Sequence, residues 1–486
     1  MKRFFQVAGV LTTLLIVVLV VNTLSFGSTQ LQVPAVAVEA LDETAVLQRF
    51  SAIIRFQTVS PGSAEDFDPQ PFAALHAYLR QAYPLVYDAM PPQVVGAFTL
   101  LYHLPGADSS LAPVMLMAHM DVVPVEEATR DQWLRDPFSG AISDGEIFGR
   151  GTIDDKASMT GILEAMEILL AKGFAPQRGV YILIGHDEEI GGLKGSALVA
   201  QQFAQDNVRL EFILDEGMAI AEQLGTFEEP VALIGLSEKG SVSFDLVARA
   251  AGGHSSQPPE ITSIGTLSRA IVALEAHKPA ARLSGAVSLM FDTLAREMGF
   301  TMRLLFANRW LTEPLLVGVL ETNAAILPMM RTSTAPTILR SGVKSNVMPT
   351  VASAVINFRM LPGDTIKTVT EHVVDVIDDP LVEISVRDGI IGNPSPISDP
   401  QAAGYKTIEK TIRQIFPGTV VAPGLVMGGT DSKHFSNVSD NTYRFVPFRV
   451  NKENVSAIHG INERMRVDVY LDIVRFYTQL LRNVAE

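Results

Sequence analysis

His119 and Asp121 close an apolar run, Met-Leu-Met-Ala-His-Met-Asp over 115–121. In an extended strand, residues two apart share a face, so both polar side chains leave the end of a buried strand together. A neutral imidazole is the commonest side-chain metal ligand, and a carboxylate behind it fixes the tautomer and raises the ring's basicity. The pair by itself fits a hydrogen-bonded structural histidine equally well. Acids recur, however, at the ends of later apolar runs: Asp154-Asp155-Lys156 after Gly149-Arg150-Gly151, and Asp187-Glu188-Glu189 before Gly191-Gly192. Asp215-Glu216-Gly217 follows Phe212-Ile213-Leu214, and a late histidine, His459, stands in Ala457-Ile458-His459-Gly460. Taken singly, these acids are helix caps, turns and solvated loops. Gathered at one sheet edge they would repel one another and raise their pKa values unless cations neutralised them. Histidines plus carboxylates without thiolate suit zinc, and manganese or cobalt also fit that donor set.

The elements that would gather them follow from periodicity. Residues 41–56 space Leu47, Phe50 and Ile54 along one helical face, with Asp42 or Thr44 as cap, and 72–83 is a second helix. Apolar runs at 97–103, 114–118, 180–185 and 210–214 then read as strands, with helices at 158–172 and 195–203 among them. Such alternation predicts an α/β, doubly wound sheet covered on both faces, whose loops at the carboxyl ends of strands carry the polar chemistry. Beyond about residue 237 the pattern changes to half-buried alternation at 241–250 and 350–360, with helices at 264–276 and 365–377 and a strand at 381–386. Helices return at 401–416 and 469–481. The expected organisation is a leader and linker over 1–40, a main domain over 41–237 and 392–486, and an inserted α+β domain over 238–391.

At 486 residues the chain is long enough for more than one domain, and 47% apolar against 19% charged residues makes it globular. A net charge of −15 without basic clusters excludes a nucleic-acid partner. With no cysteine, disulfides, thiolate metal sites and cysteine nucleophiles are excluded too. Lys2 and Arg3 precede an uncharged stretch from 4 to 38, densest over 7–21, and its extension to Phe26 is enough to cross about 30 Å of hydrocarbon. No small-x-small site directly follows it, Ala35-Val36-Ala37 being distant, so an uncleaved signal anchor is preferred to a cleaved signal peptide. Either puts the rest of the chain outside the cytoplasm, on the periplasmic, extracellular or lumenal side, tethered in the first case and secreted in the second.

Taken in order, His119-x-Asp121, Gly149-Arg150-Gly151-x-x-Asp154-Asp155-Lys156, Asp187-Glu188-Glu189-x-Gly191-Gly192, Asp215-Glu216-Gly217, Gly253-His254-Ser255-Ser256 and His459 resemble the two-zinc metallopeptidase family. That family holds the aminoacylases, carnosinases, glutamate carboxypeptidases and succinyl-diaminopimelate desuccinylases. Ser237-Glu238-Lys239-Gly240-Ser241, Gly342-Val343-Lys344, Asn357-Phe358-Arg359, Thr430-Asp431-Ser432 and Tyr443-Arg444-Phe445 look most like one branch, that of the N-fatty-acyl-amino-acid synthase/hydrolase and the yeast vacuolar Gly-X carboxypeptidase. The resemblance implies a zinc-peptidase domain with an inserted lid or dimerisation domain. It further implies two Zn²⁺ per chain, one held by His119 and Asp215, the other by Glu189 and His459, with Asp154 bridging and the Asp154–Asp155 peptide cis. Asp121 would clamp His119, Glu188 would act as general base, and His254 would stabilise the oxyanion.

Substrate contacts are read from residue chemistry. Arg359 suits a substrate carboxylate, Asn346 offers an amide to the same end, and Gly429 and Thr430 offer backbone N–H groups. The apolar stretch 289–330 reads as extra core rather than as an acyl-chain pocket. The expected activity is zinc-dependent hydrolysis of N-acyl amino acids, long-chain and reversible in the branch resembled, or of short peptides with a free carboxylate. A dipeptidase for polar dipeptides and a membrane-tethered binding protein without catalysis are the alternatives. The quaternary state is open between monomer and homodimer: in dimeric relatives the counterpart of His254 reaches the partner's site.

Overall fold

The computed structural model describes residues 1–225, 227–389, 391–451 and 454–485. Its frame is a ten-stranded mixed sheet in which Val114–His119 pairs in parallel with Val180–Gly185 on one side and Ile213–Asp215 on the other. Both faces of that central strand are covered, as its unbroken apolar sequence requires. Leu116 and Ala118 face the large core with helices Lys156–Ala171 and Val467–Ala485, whereas Met115 and Met117 face a second cluster with Val199 and Phe203 of helix Ser196–Gln205. The expected doubly wound mixed sheet is present. Helix Glu43–Ile54 starts at Asp42, whose carboxylate accepts from the Ala45 N–H, so Asp42 rather than Thr44 is the cap.

A separate four-stranded antiparallel sheet is built from Gly240–Arg249, Ser333–Ser341, Val351–Met360 and Val382–Val386. One face packs on helices Ser263–Ala276 and Ile366–Ile377, forming a core of its own around Phe244, Leu246, Phe358 and Val373. The stretch between its strands does not join that core. Helices Gly285–Glu297, Phe300–Ala307 and Arg309–Leu320 send Val287, Phe291, Phe306 and Leu316 into the large core, against the strand Val420–Val426.

The N-terminal helix Lys2–Ser25 is long and apolar enough to cross a membrane. Apart from the buried Thr23 its side chains are largely exposed, and it touches the body chiefly through the Phe300–Ala307 helix.

Candidate metal centre and active site

Loops at the carboxyl ends of the central strands converge as their sequence suggested. His119, the last residue of its strand, lies buried with Nε2 3.0 Å from Asp154 Oδ1. Its Nδ1 faces Asp121, 3.0 Å from the main-chain carbonyl and 3.3 Å from Oδ1. Asp121 is fully buried, accepts from the Ser60 hydroxyl, and receives the main-chain N–H groups of Glu188 and Glu189. It therefore ties the strand end to the next acidic loop, so that a shift of one moves the other.

On the far side of Asp154, His459 Nε2 is 3.0 Å from Oδ2 and 3.3 Å from Glu189 Oε2. His459 has φ of +58°, a left-handed conformation disfavoured for a side chain of its size and found where a residue is held for function. The Glu189 loop turns back through Gly191 and Gly192, both at positive φ, and a Cβ on Gly192 would fall 1.8 Å from Asp431 Oδ1. The Asp154–Asp155 peptide is cis.

Asp154 is thus shared between two groups of ligand-type atoms, His119–Asp154–Glu216 and Asp154–Glu189–His459. Asp215, expected as a ligand, is in neither group: its oxygens accept the N–H groups of Glu216 and Ser432, at 3.0 and 2.9 Å. Glu216 takes the place instead, its Oε1 3.6 Å from His119 Nε2. Asp215 is the last residue of its strand, and Glu216 is the first residue of the bend that follows it.

The electrostatics of these groups fit a bound cation pair. Burial drives the Glu188 and Glu216 carboxyls well above the usual carboxylate range, and nearby acids push them further. Hydrogen bonds to Asp154 and Glu189 lift the His459 imidazole to about 10. Burial pushes His119 down, but the Asp121 and Asp154 carboxylates outweigh it and hold it well above its ordinary value. Asp154, burial notwithstanding, is drawn below its ordinary value by both histidines. Divalent ions would neutralise these buried acids, and Glu189 Oε1, buried without a hydrogen-bond partner, suits a metal ligand.

Two cavities meet at this centre. The first, about 410 Å³, has Asp154 and Glu216 at one end and is otherwise apolar, with Met218, Leu233, Val446 and Phe448 in its walls. The second, about 280 Å³, holds Glu188, Glu189 and His459 together with Lys239, Arg359 and Gly429. Arg359 and Gly429 thus line the second cavity. Thr430 does not, since its N–H and hydroxyl both bind Glu238 Oε1, itself in a buried ion pair with Arg444. His254 and Asn346 lie apart as well: they share a short exposed ribbon, Gly253–His254 against Val347–Met348, where His254 binds Ser256 and the Asn346 carbonyl accepts from Ser255. Neither lines the cavities in this single chain, because the ribbon belongs to the smaller sheet's end.

Sequence reasoning passed over Lys239 and Glu463. Lys239 lines the second cavity while its Nζ donates to the Pro328 and Arg331 carbonyls, and burial with the nearby Arg359 charge lowers its pKa to about 8. Glu463 is fully buried and accepts from Arg150 Nη1 at 2.7 Å and from the Gly151 and Ile153 N–H groups at 3.0 and 2.8 Å. It thereby shapes the loop that presents Asp154. A lone Glu immediately before a short strand, Arg464–Arg466, carries no motif to announce that role. Removing it leaves the Arg150 charge buried and unpaired, so Glu463→Ala is expected to cost about 3–5 kcal/mol, read as a lowered urea midpoint.

The sequence model of peptidase family M20/M25/M40 matches residues 115–483. A probable carboxypeptidase S-like 2 of Dictyostelium discoideum is 38% identical over 484 residues, spanning 97% of this chain and 92% of that protein. The N-fatty-acyl-amino acid synthase/hydrolase PM20D1 of Homo sapiens is 37% identical over 447 residues, 91% of this chain and 88% of that protein. Among solved structures, the M20 family metallo-carboxypeptidase Sso-CP2 from Sulfolobus solfataricus superposes with a TM-score of 0.67 at 17% identity, covering 92% of this chain and all (100%) of that one. Human carnosine dipeptidase 1 gives 0.63 at 16% identity, covering 91% of this chain and 96% of that one. At those identities the two structures speak for the fold.

Proposed function

The chain belongs to peptidase family M20/M25/M40 and is a metallohydrolase, and from that premise we propose that it hydrolyses the amide bond of N-acyl amino acids, favouring long apolar acyl groups. One observation carries the reading: the ligand cluster sits between an apolar cavity and a cavity with Arg359 and Lys239 in its wall. An acyl chain fits the first, a free carboxylate the second, and the amide between them then lies over Asp154. PM20D1, by its name an N-fatty-acyl-amino acid synthase/hydrolase, supports the same substrate class. A dipeptidase for polar dipeptides would leave most of the apolar cavity unfilled.

His119, Asp154 and Glu216 would hold one zinc, and Asp154, Glu189 and His459 the other. When bound, the metal pair activates water at neutral pH and polarises the amide carbonyl. Glu188 stands beside this set without joining either group. Its carboxylate takes a proton from the attacking water and delivers it to the leaving amine nitrogen, as a base of raised pKa does efficiently. Asp121 keeps the His119 ring oriented and the Glu188–Glu189 loop in register. Arg359 fixes the carboxylate end, which aligns the scissile bond. The smaller sheet has a core of its own while the helices over 285–320 pack on the large core, and the Lys2–Ser25 helix serves as a signal anchor that keeps the enzyme on the membrane.

The test is a panel of N-acyl amino acids of graded acyl length set against dipeptides, with purified zinc-loaded protein. Specificity, kcat/KM, is expected to rise about fourfold per methylene until the apolar cavity is filled, since each buried methylene contributes about 0.8 kcal/mol. A preference for polar dipeptides would overturn the reading. Arg359→Met is expected to lower kcat/KM about tenfold, mostly through KM, because a charge-assisted contact to a half-solvated carboxylate is lost. An equal loss on substrates whose carboxylate is amidated would show that Arg359 acts elsewhere.

A further inference from the structure

We propose that the outward face of the Arg309–Leu320 helix is a membrane-docking surface, lying on the outer interface of the bilayer that the Lys2–Ser25 helix crosses. The inference rests on reading that N-terminal helix as an anchor, and it adds a second contact made by the folded body.

The polarity of the Arg309–Leu320 helix is inverted for a surface helix. Its charges turn inward: Arg309 binds Asp292 at 2.9 Å, Glu313 at 2.9 Å and the Ser288 hydroxyl at 2.6 Å. Its exposed side is an uncharged stripe of Trp310 (63% exposed), Leu311, Pro314, Leu315 (58%), Gly318 and Val319 (59%). Positions spaced by three and four residues share a helical face, so these side chains form one contiguous patch. Helices facing water carry their charges there, and an apolar patch of this kind marks an interaction surface.

The fold fixes which surface that is. The helix starts at Asn308, which is fully buried and bonded to the last turns of the N-terminal helix: its Nδ2 donates to the Leu19 carbonyl at 3.1 Å, and its Oδ1 accepts from Asn22 Nδ2 at 2.9 Å. Arg303 donates to the Thr23 carbonyl at 3.3 Å, and Arg296 donates to the Gly27 carbonyl at 3.0 Å and sits 4.0 Å from the centre of the Phe26 ring. The body therefore grips the span at the end opposite Lys2 and Arg3. Since about 20 helical residues cross about 30 Å of hydrocarbon, this grip lies at the outer edge of the bilayer. The apolar stripe begins at Trp310, two residues after Asn308, which is bonded to the last turns of the span. A tryptophan at its start suits the headgroup boundary, where interfacial helices sink about 5–10 Å.

The arrangement bears on the substrate. Lys239, in the wall of the second cavity, is bonded to the Pro328 and Arg331 carbonyls just beyond this helix. Docking would hold the cavities at a fixed height above the lipid in which long-chain N-acyl amino acids dissolve.

The chain has two tryptophans, so Trp133→Phe leaves Trp310 as the sole probe. That full-length variant is reconstituted into phosphatidylcholine vesicles with or without bromine on the acyl chains. Flotation with the vesicles, blue-shifted emission and at least about twofold quenching by the brominated lipid are expected for an interfacial tryptophan. Adding Leu315→Glu and Val319→Glu should abolish the quenching while flotation, and hydrolysis of a short water-soluble N-acyl substrate, persist. Flotation with Trp310 unquenched by bromine and open to aqueous iodide would overturn docking and leave the anchor standing. Emission that shifts with protein-to-lipid ratio but not with bromine would assign the face to a second copy of the chain and overturn the proposal. Absence of flotation would overturn anchor and docking together.

Discussion

Glu188→Gln is expected to lower kcat by about 10²–10⁴-fold while leaving bound zinc at the wild-type level, as measured by metal analysis of the same preparation. The substitution keeps volume and removes only the ability to take a proton. Glu188 is not in either three-residue group around Asp154, yet it lines the same cavity as Glu189 and His459. Its burial in acidic company raises its pKa well above the ordinary carboxylate value, which divalent ions would bring back toward neutrality. Chelation should abolish turnover, because the metal pair would supply the activated water that Glu188 serves. KM for a good substrate should hardly change, because the residue acts on the water and not on the substrate's ends. Equal loss of zinc and activity in Glu188→Gln would instead make Glu188 a ligand.

Much of the positioning scaffold was legible from periodicity, and two of the exceptions share a cause. The strand Val180–Gly185 is read at its observed bounds, and Val114–His119 is one residue longer than read, since unbroken apolar runs between turn residues leave little choice. The strands Val420–Val426 and Ser333–Ser341 were not read, and each contains a proline that argues against a central strand. The fold places both where a missing N–H does no harm. Val420–Val426 pairs with a single neighbour, Val231–Glu238, and in Ser333–Ser341 the register shifts between Pro336 and Ile338. Edge position and bulge are tertiary facts, invisible to a window of sequence.

The same limit governs the site. His119, Asp154, Glu189 and His459 bring ligand-type atoms together around Asp154, because each stands at the end of a strand or in a tight loop. His254 and Asn346 carry motif-like surroundings too, but they stand on a ribbon of the smaller sheet, and nothing local fixes where that ribbon lies relative to Asp154. Glu463 shapes the Asp154 loop across more than three hundred residues of chain, the Ile153 contact being 310 residues apart in sequence. Contacts of that kind have no sequence period.

The choice between Asp215 and Glu216 yields the second large effect. Glu216→Gln should remove about one of the two zinc equivalents and lower kcat by at least about 10³-fold, since losing a charged ligand forfeits several kcal/mol of transition-state charge stabilisation. Asp215→Asn should keep both zinc equivalents. Its carboxylate serves the Glu216 and Ser432 N–H groups, and an amide can still accept one of them. The expected cost is about 1–3 kcal/mol of folding stability, the range for a buried donor left unpaired. The adjacent acids thus separate by assay: one substitution moves metal content and turnover, the other moves the unfolding midpoint. The strand ends at Asp215, and Glu216, in the bend beyond it, brings its Oε1 to 3.6 Å from His119 Nε2. Metal lost from Asp215→Asn and kept in Glu216→Gln would require the loop after Leu214 to turn by one residue when the ions bind.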